Sequence, residues 1–159
     1  CGAYLQANDV SFSDEAKKSV AAGVHLWARA VLSGQANLIR TTMTSSTDGE
    51  IRANSANLML GTWIRELLEA IGYQQKKPTV VFADNMPTVQ LANGGSPTRT
   101  RHIARQVAYC ADKVRDGEFV FKHVKDEDNP ADFLTKWVPP KKFRASVRYI
   151  FNKNNAIRQ

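Results

Sequence analysis

Cysteine is scarce in this sequence, and long apolar runs are absent. Cys1 and Cys110 are the only cysteines among 159 residues, too few for a disulfide framework or a cysteine-based zinc site. No run approaches the roughly 18 apolar residues of a membrane-spanning helix. The first residues lack the charged and apolar parts of a secretory signal. These absences predict an intracellular protein with no membrane partner, and the missing initiator methionine favours a piece of a longer protein.

Acidic residues are missing from the last part of the chain. Between Lys136 and Gln159 there are seven Lys or Arg residues and no Asp or Glu. The whole chain has a formal net charge of +7, which suggests a polyanionic partner, nucleic acid before membrane. We therefore predict a single domain over 1–159 in which 138–159 is a basic C-terminal extension. A solvated tail is an equally good interpretation of that charge.

The hydrophobic pattern changes from a strand period to a helix period along the chain. Alternating and β-branched residues, or short apolar runs, predict strands at 4–8, 21–32, 36–44, 79–83 and 118–124, with a turn at 33–35. Helical spacing and end signals predict helices from about 47 to 71, at 87–93, at 100–115, from Pro130, and at 141–151. This order predicts an α/β fold with a mixed five-stranded sheet, an antiparallel meander plus parallel strands, flanked by helices.

Four acidic residues stand where this architecture can bring them together. Asp9 and Asp84 end predicted strands, and Glu50 and Asp132 lie in the first turns of predicted helices. If the first and fourth strands are neighbours, both aspartates emerge at the sheet edge where ligands bind in open sheets. Converging carboxylates suit hard cations, and two Mg²⁺ ions about 4 Å apart can clamp the attacking and leaving oxygens of a phosphodiester. The pattern predicts that these four residues are catalytic and bind two Mg²⁺ ions, which Mn²⁺ can replace.

Each of these acids also has an ordinary structural interpretation. Glu50 follows Thr47 by three residues, as in a capping box. Asp84 could be a turn residue, Asp132 an acid that favours a helix N-terminus, and Asp9 a loop acid. Only their joint placement favours a functional site.

Four short segments resemble, in order and spacing, the ribonuclease H domain of copia-type LTR retrotransposons. They are SSTDGE at 45–50, FADN at 82–85, RTRHI at 99–103 and NPADFLTK at 129–136, and the likeness covers roughly residues 4 to 137. The resemblance implies a ribonuclease H-like fold and a metal-dependent endonuclease that hydrolyses the RNA strand of RNA–DNA hybrids during retrotransposon reverse transcription. It also implies an adjacent reverse transcriptase domain of the same polyprotein, in a cytoplasmic virus-like particle or the nucleus.

The resemblance assigns roles to the acids, and the first of them has two possible alignments. Glu50 and Asp84 would hold the metal on the leaving-group side, and Asp132 the metal near the attacking water. Asp9 matches the first acid if the following loop is two residues shorter than in the family, whereas an ungapped alignment puts Ala7 there. We prefer Asp9 because it ends the strand. Ala7 would imply a catalytically inert module that binds nucleic acid or a partner protein, and a structural domain packed on a reverse transcriptase is a third interpretation.

Short polar and basic residues flank the acids. An RNA–DNA hybrid presents 2′-hydroxyls in a wide, shallow minor groove, which hydroxyl and amide side chains can contact. A helix N-terminus with added arginine suits phosphate. The predicted substrate-binding residues are Ser45, Ser46, Thr47, Asn85, Arg99, Arg101 and His102. Helix capping, or a solvated basic face, is the alternative interpretation.

Overall fold

The computed structural model describes residues 4–11, 19–95 and 101–151. Within those ranges five strands form one mixed sheet in the order β3-β2-β1-β4-β5. The strands are β1 (Tyr4–Ser11), β2 (Ser19–Trp27), β3 (Ala30–Ile39), β4 (Thr79–Ala83) and β5 (Phe119–His123). β1, β2 and β3 are antiparallel neighbours, while β4 is parallel to both β1 and β5. The predicted α/β fold with a mixed five-stranded sheet is confirmed.

Helices cover both faces of the sheet. They are α1 (Ser46–Ala70), α2 (Met86–Ala92), α3 (Ala104–Arg115) and α4 (Pro140–Ile150), with 3₁₀ turns at Arg101–Ile103, Asp126–Asp128 and Asp132–Leu134. On one face α1, α2 and α3 pack over buried residues of β1, β4 and β5. On the other face α4 and the Asp132–Leu134 turn cover Ala7, Val24 and Leu26. None of the helices in the described ranges combines the length and the apolar character needed to cross a bilayer.

The turn between β2 and β3 lies earlier in the sequence than the pattern predicted. Ala28 and Arg29 form the turn with φ of 52° and 67°, whereas 33–35 lie in β3 and pair with 23–25 of β2. Positive φ at both central residues is what a two-residue hairpin turn needs to match the strand twist. Neither residue is Asn or Gly, so the sequence carried no turn signal at this point. The predicted strand over 21–32 was therefore wrong at its end.

The helix predicted to start at Pro130 is only the 3₁₀ turn Asp132–Leu134. The backbone N–H groups of Thr135 and Lys136 donate to the carbonyl oxygen of Asp132, and then the chain leaves the helical path. Val138 precedes Pro139, and a residue before proline disfavours the helical conformation. The helical path therefore ends before Pro139, and only one 3₁₀ turn forms between Pro130 and Pro139.

Candidate active site

Asp9 and Asp84 are brought side by side by the pairing of β1 with β4. Ala7 pairs with Phe82 in parallel register, and an aspartate follows each of them two residues along the chain, Asp9 within β1 and Asp84 just after β4. β1 extends beyond the predicted end to Ser11, so Asp9 lies inside the strand and is 1% exposed. One carboxylate oxygen from each of Asp9, Asp84 and Asp132 lies within 4.8 Å of the other two. Asp9, and not Ala7, is the β1 residue in this cluster.

The turn that carries Asp132 is tied to β1. The Asn129 side chain donates a hydrogen bond to the backbone oxygen of Asn8 at 2.8 Å, and its own oxygen accepts from the Ala131 N–H at 3.1 Å. Thr135 Oγ1 donates to the Asp9 carboxylate. Ser11 Oγ donates to the Thr135 carbonyl oxygen at 2.7 Å. These bonds place Asp132, which has no exposed surface, beside Asp9.

Glu50 reaches the cluster from the first turns of α1. Ser45 caps this helix, its Oγ accepting from the Asp48 N–H at 3.1 Å, so the capping-box interpretation of Thr47 with Glu50 is wrong. The Glu50 side chain is buried, and its carboxylate accepts a hydrogen bond from the Val10 backbone N–H. Glu50 therefore stands next to the β1 segment that holds Asp9.

The cluster disfavours negative charge in the absence of cations. Burial, followed by the charges of Asp84 and Asp9, raises the pKa of Glu50 to about 9. Burial raises the pKa of Asp9 to about 6 against the opposing hydrogen bond from Thr135, and burial also raises the pKa of Asp84. Glu50 Oε2 and Asp84 Oδ1 are buried without a hydrogen-bond partner among the described residues. Such oxygens fit Mg²⁺ or Mn²⁺, which take carboxylate ligands and lower the repulsion between them.

Two lysines contact Asp132, and sequence reasoning gave neither a role. Lys136 Nζ lies 2.6 Å from Asp132 Oδ1, and Lys142 Nζ contacts Asp132 Oδ2. Both ammonium groups also contact the Asp126 carboxylate, at 3.0 and 3.4 Å. Lys136 lies four residues after Asp132, a spacing that was readable in the sequence. Lys142 comes from α4, and no local pattern indicates that this helix folds back onto the cluster.

Several predicted substrate-binding side chains have structural partners. Ser45 caps α1, while Ser46 is exposed and Thr47 half-buried at the start of that helix. The Asn85 side-chain oxygen caps α2 by accepting from the N–H and the hydroxyl of Thr88, each at 3.0 Å. Capping is compatible with a substrate contact from the remaining polar atoms, and the substrate role of these residues stays a prediction.

The basic residues predicted to meet phosphate lie next to the start of α1. His102 Nε2 is 2.8 Å from Thr44 Oγ1 and 3.5 Å from Asp48 Oδ2, which joins the Arg101–Ile103 turn to the segment before α1. Arg101 is exposed in the same turn. Arg99 lies outside the described residues. His123, at the end of β5, contacts the Asp84 backbone oxygen through Nε2 at 3.0 Å, so a histidine also adjoins the cluster.

Comparison of sequences finds similarity to parts of retrotransposon polyproteins. The chain is 27% identical over 136 residues, 85% of its length, to a retrovirus-related Pol polyprotein from transposon TNT 1-94 of Nicotiana tabacum. It is 34% identical over 93 residues, 58% of its length, to the Pol polyprotein from transposon RE2 of Arabidopsis thaliana. The matched parts are 10% and 6% of these polyproteins, so the chain corresponds to a small fraction of either. No family model matches the chain.

Comparison of structures finds ribonuclease H domains. The chain resembles the N-terminal RNase H domain of a Mycobacterium tuberculosis protein, with a TM-score of 0.62 at 14% identity over 93% of this chain and 98% of that one. A second structure, LC11-RNase H1 in complex with an RNA/DNA hybrid, matches with a TM-score of 0.61 at 16% identity, over 83% of this chain and 93% of that one. A foamy viral protease-reverse transcriptase, also in complex with an RNA/DNA hybrid, matches with a TM-score of 0.56 at 12% identity, over 84% of this chain and 19% of that chain. The fold is ribonuclease H-like, and the resemblance to the ribonuclease H domain of copia-type retrotransposon polyproteins is confirmed.

Proposed function

We propose that this chain is a metal-dependent endonuclease that hydrolyses the RNA strand of RNA–DNA hybrids during retrotransposon reverse transcription. The observation that carries the proposal is the meeting of Asp9, Asp84 and Asp132 oxygens within 4.8 Å, with buried Glu50 beside them. The similarity to Pol polyproteins, and to a ribonuclease H solved in complex with an RNA/DNA hybrid, supports this substrate.

Asp9, Glu50, Asp84 and Asp132 would hold two Mg²⁺ ions, or Mn²⁺ ions in their place. Ions held by these residues would supply a water molecule of lowered pKa and positive charge to stabilise the leaving oxygen of a phosphodiester. The chain's own residues fix the ligands: Thr135 holds the Asp9 carboxylate, and the Val10 N–H orients Glu50. Metal-ligating carboxylates are commonly fixed by such outer hydrogen bonds, because a misplaced ligand weakens the site.

The substrate would approach along the edge formed by the start of α1 and the Arg101–Ile103 turn. Exposed hydroxyl and amide groups among Ser45, Ser46, Thr47 and Asn85 suit 2′-hydroxyl and sugar contacts, which distinguish RNA from DNA. Arg99, Arg101 and His102 suit phosphate contacts, which fix the register of the duplex but carry no sequence information.

We further propose that the partner in the cell is an adjacent reverse transcriptase domain of the same polyprotein. The foamy viral chain supports this, because the region similar to this protein is 19% of a protease-reverse transcriptase. The working compartment would then be intracellular, a cytoplasmic virus-like particle or the nucleus.

The test is cleavage of a hybrid with labelled RNA by the purified chain, with Mg²⁺ or with EDTA. Cleavage is expected only with the metal, only of the RNA strand, and not of double-stranded DNA or RNA of the same sequence. Asp84→Asn should abolish it, whereas Asp112→Asn, which changes an exposed aspartate of α3, should not. Hybrid binding without cleavage under conditions where a control ribonuclease H is active would replace the proposal with the inert, nucleic-acid-binding module.

A further inference from the structure

Lys142 occupies a defined position between two acidic residues. Its Nζ contacts Asp132 Oδ2, and also the backbone oxygen of Asp126 at 2.5 Å and the Asp126 carboxylate at 3.4 Å. The Lys142 side chain is only 17% exposed. With Lys136 on the other oxygen, both oxygens of the Asp132 carboxylate face an ammonium group.

The position of Lys142 is set by the packing of α4. Phe143, the next residue, packs edge-on against Phe133 with ring centroids 5.6 Å apart. Further along the helix, Ile150 and Tyr149 pack on the sheet face that contains Ala7 and Leu26. The helix is therefore held at both ends by apolar contacts, and the aliphatic stem of the lysine lies between them and the acids.

We propose that Lys142 competes directly with the second divalent cation of the site. One cation would bind through Asp9, Glu50 and Asp84, which no lysine contacts among the described hydrogen bonds and ion pairs. The other cation needs Asp132, both of whose oxygens contact an ammonium group, and Lys142 must leave Oδ2 before that oxygen can bind the cation. This inference rests on the proposed metal site and adds that its two ions bind with unequal affinity because of a residue in α4.

The physical reason is that two cations in contact with the same carboxylate oxygen repel each other, so the ammonium group weakens the binding of a metal ion there. A buried carboxylate needs a positive partner, since an unpaired buried charge is costly. Lys142 supplies that partner in the metal-free protein, and its loss should leave an Asp132 oxygen free for the metal. Lys142 also contacts the backbone oxygen and the carboxylate of Asp126, so it can leave Asp132 and still have a hydrogen-bond partner.

The test is titration of the full chain with Mn²⁺, without nucleic acid, with the free ion counted by electron paramagnetic resonance. The wild type is expected to bind one Mn²⁺ ion tightly and a second one more weakly. Lys142→Met should raise the affinity for the more weakly bound ion by about tenfold or more. This is the range expected when a competing hydrogen bond between charged groups is removed. Lys142→Arg, which keeps the charge, should retain the weak ion.

Lys141→Met is the matched control, because it removes the same charge from an exposed position one residue earlier in α4. The affinity of the Lys141→Met variant for the more weakly bound ion should change by less than about twofold, since exposed charges are screened. Equal affinities in Lys142→Met and wild type, or an equal change in both methionine variants, would overturn the inference while leaving the proposed function standing. A wild type that binds no Mn²⁺ at all would overturn both. Thermal unfolding in EDTA checks folding, and in Lys142→Met the midpoint should rise more on Mn²⁺ addition than in wild type.

Discussion

Gly23 of β2 lies directly beneath the Asn57 side chain of α1. A Cβ atom on Gly23 would stand 2.4 Å from Asn57 Oδ1, closer than any real contact of that kind. Asn57 Nδ2 donates to the Ala22 backbone oxygen at 3.2 Å, and its Oδ1 accepts from Gln35 Nε2 at 2.7 Å. The glycine thus allows α1 to approach the sheet closely enough for one side chain to bond both β2 and β3. The same helix carries Glu50 to the acidic cluster.

Gly23→Ala should therefore lower the free energy of unfolding by about 1–3 kcal/mol, the usual cost of inserting a carbon into a packed interface. Urea denaturation in EDTA measures it. Gly34→Ala is the matched control: Gly34 lies in the paired strand β3, and a Cβ there would meet nothing within 4 Å. That variant should change stability by less than about 0.5 kcal/mol. Equal losses in both variants would contradict the role of the Gly23–Asn57 approach.

Most strands, and their order along the chain, could be predicted because side-chain patterns record burial directly. The apolar run over 79–83 predicted β4 with the bounds it has in the structure. The turn at Ala28 and Arg29 could not be predicted, since its positive φ values are imposed by the pairing of β2 with β3 and not by turn residues. Local sequence thus determined most of the elements, but neither the end of the helix predicted from Pro130 nor every connection between strands.

The acidic cluster shows the same division between what is local and what is long-range. Asp9, Glu50, Asp84 and Asp132 could be selected because the pattern placed each at the end of a predicted strand or the start of a predicted helix, although Asp9 lies inside β1 and Asp132 in a 3₁₀ turn. The contact of Lys142 with Asp132 could not, because it depends on how α4 packs on the sheet after a break at two prolines. Tertiary packing of this kind leaves no periodic trace in the sequence.

Asp48 should be a strong determinant of stability and of substrate affinity. Its buried carboxylate accepts from Arg52 Nε at 2.5 Å and from the Thr44 N–H at 3.0 Å, and lies 3.5 Å from His102 Nε2. Asp48→Asn weakens these charge-assisted contacts, and we expect a loss of about 1–3 kcal/mol in unfolding free energy. Because the contact between His102 and α1 is weakened, KM for a hybrid should rise more than kcat falls.

The control for Asp48 is Asp112→Asn on α3. Asp112 is 53% exposed and pairs with Arg115, itself 71% exposed, at 2.8 Å. Exposed pairs of this kind contribute roughly 0–1 kcal/mol. An Asp48→Asn variant with the stability and KM of Asp112→Asn would show that the buried contacts do not position the substrate edge.

The stability of the metal-free protein should fall as pH rises from 7 to 9. Burial and the neighbouring carboxylates raise the pKa of Glu50 from 4.5 to about 9. In this window the folded chain keeps a proton on Glu50 that the unfolded chain has released, so the loss is at most about 1.4 kcal/mol per pH unit. Urea denaturation in EDTA across this range measures it.

Glu50→Gln isolates the contribution of this carboxyl group, because the amide does not titrate. As pH rises, the free energy of unfolding of the wild type should fall relative to that of Glu50→Gln. Adding Mg²⁺ should remove that trend, since divalent cations favour the ionised carboxylate. Parallel pH profiles in EDTA would contradict the assignment of the trend to Glu50.

Trp137 should contribute to hybrid binding. Its side chain is 85% exposed, and it directly follows Lys136, which contacts Asp132. An exposed indole costs little to remove from the fold, whereas packing it against the sugars of a duplex buries apolar surface and contributes on the order of 1 kcal/mol. Trp137→Ala should therefore weaken hybrid binding by roughly fivefold with little change in unfolding free energy.

Fluorescence anisotropy of a labelled hybrid, with Ca²⁺ in place of Mg²⁺ to limit cleavage, measures this affinity. Trp63→Ala is the control, because Trp63 is also exposed, at 56%, but lies in the middle of α1 and away from its N-terminal turns. Its removal should leave the hybrid affinity unchanged. If both variants bind the hybrid as the wild type does, Trp137 makes no contact with it, and the nucleic acid does not pass over the segment that follows Asp132.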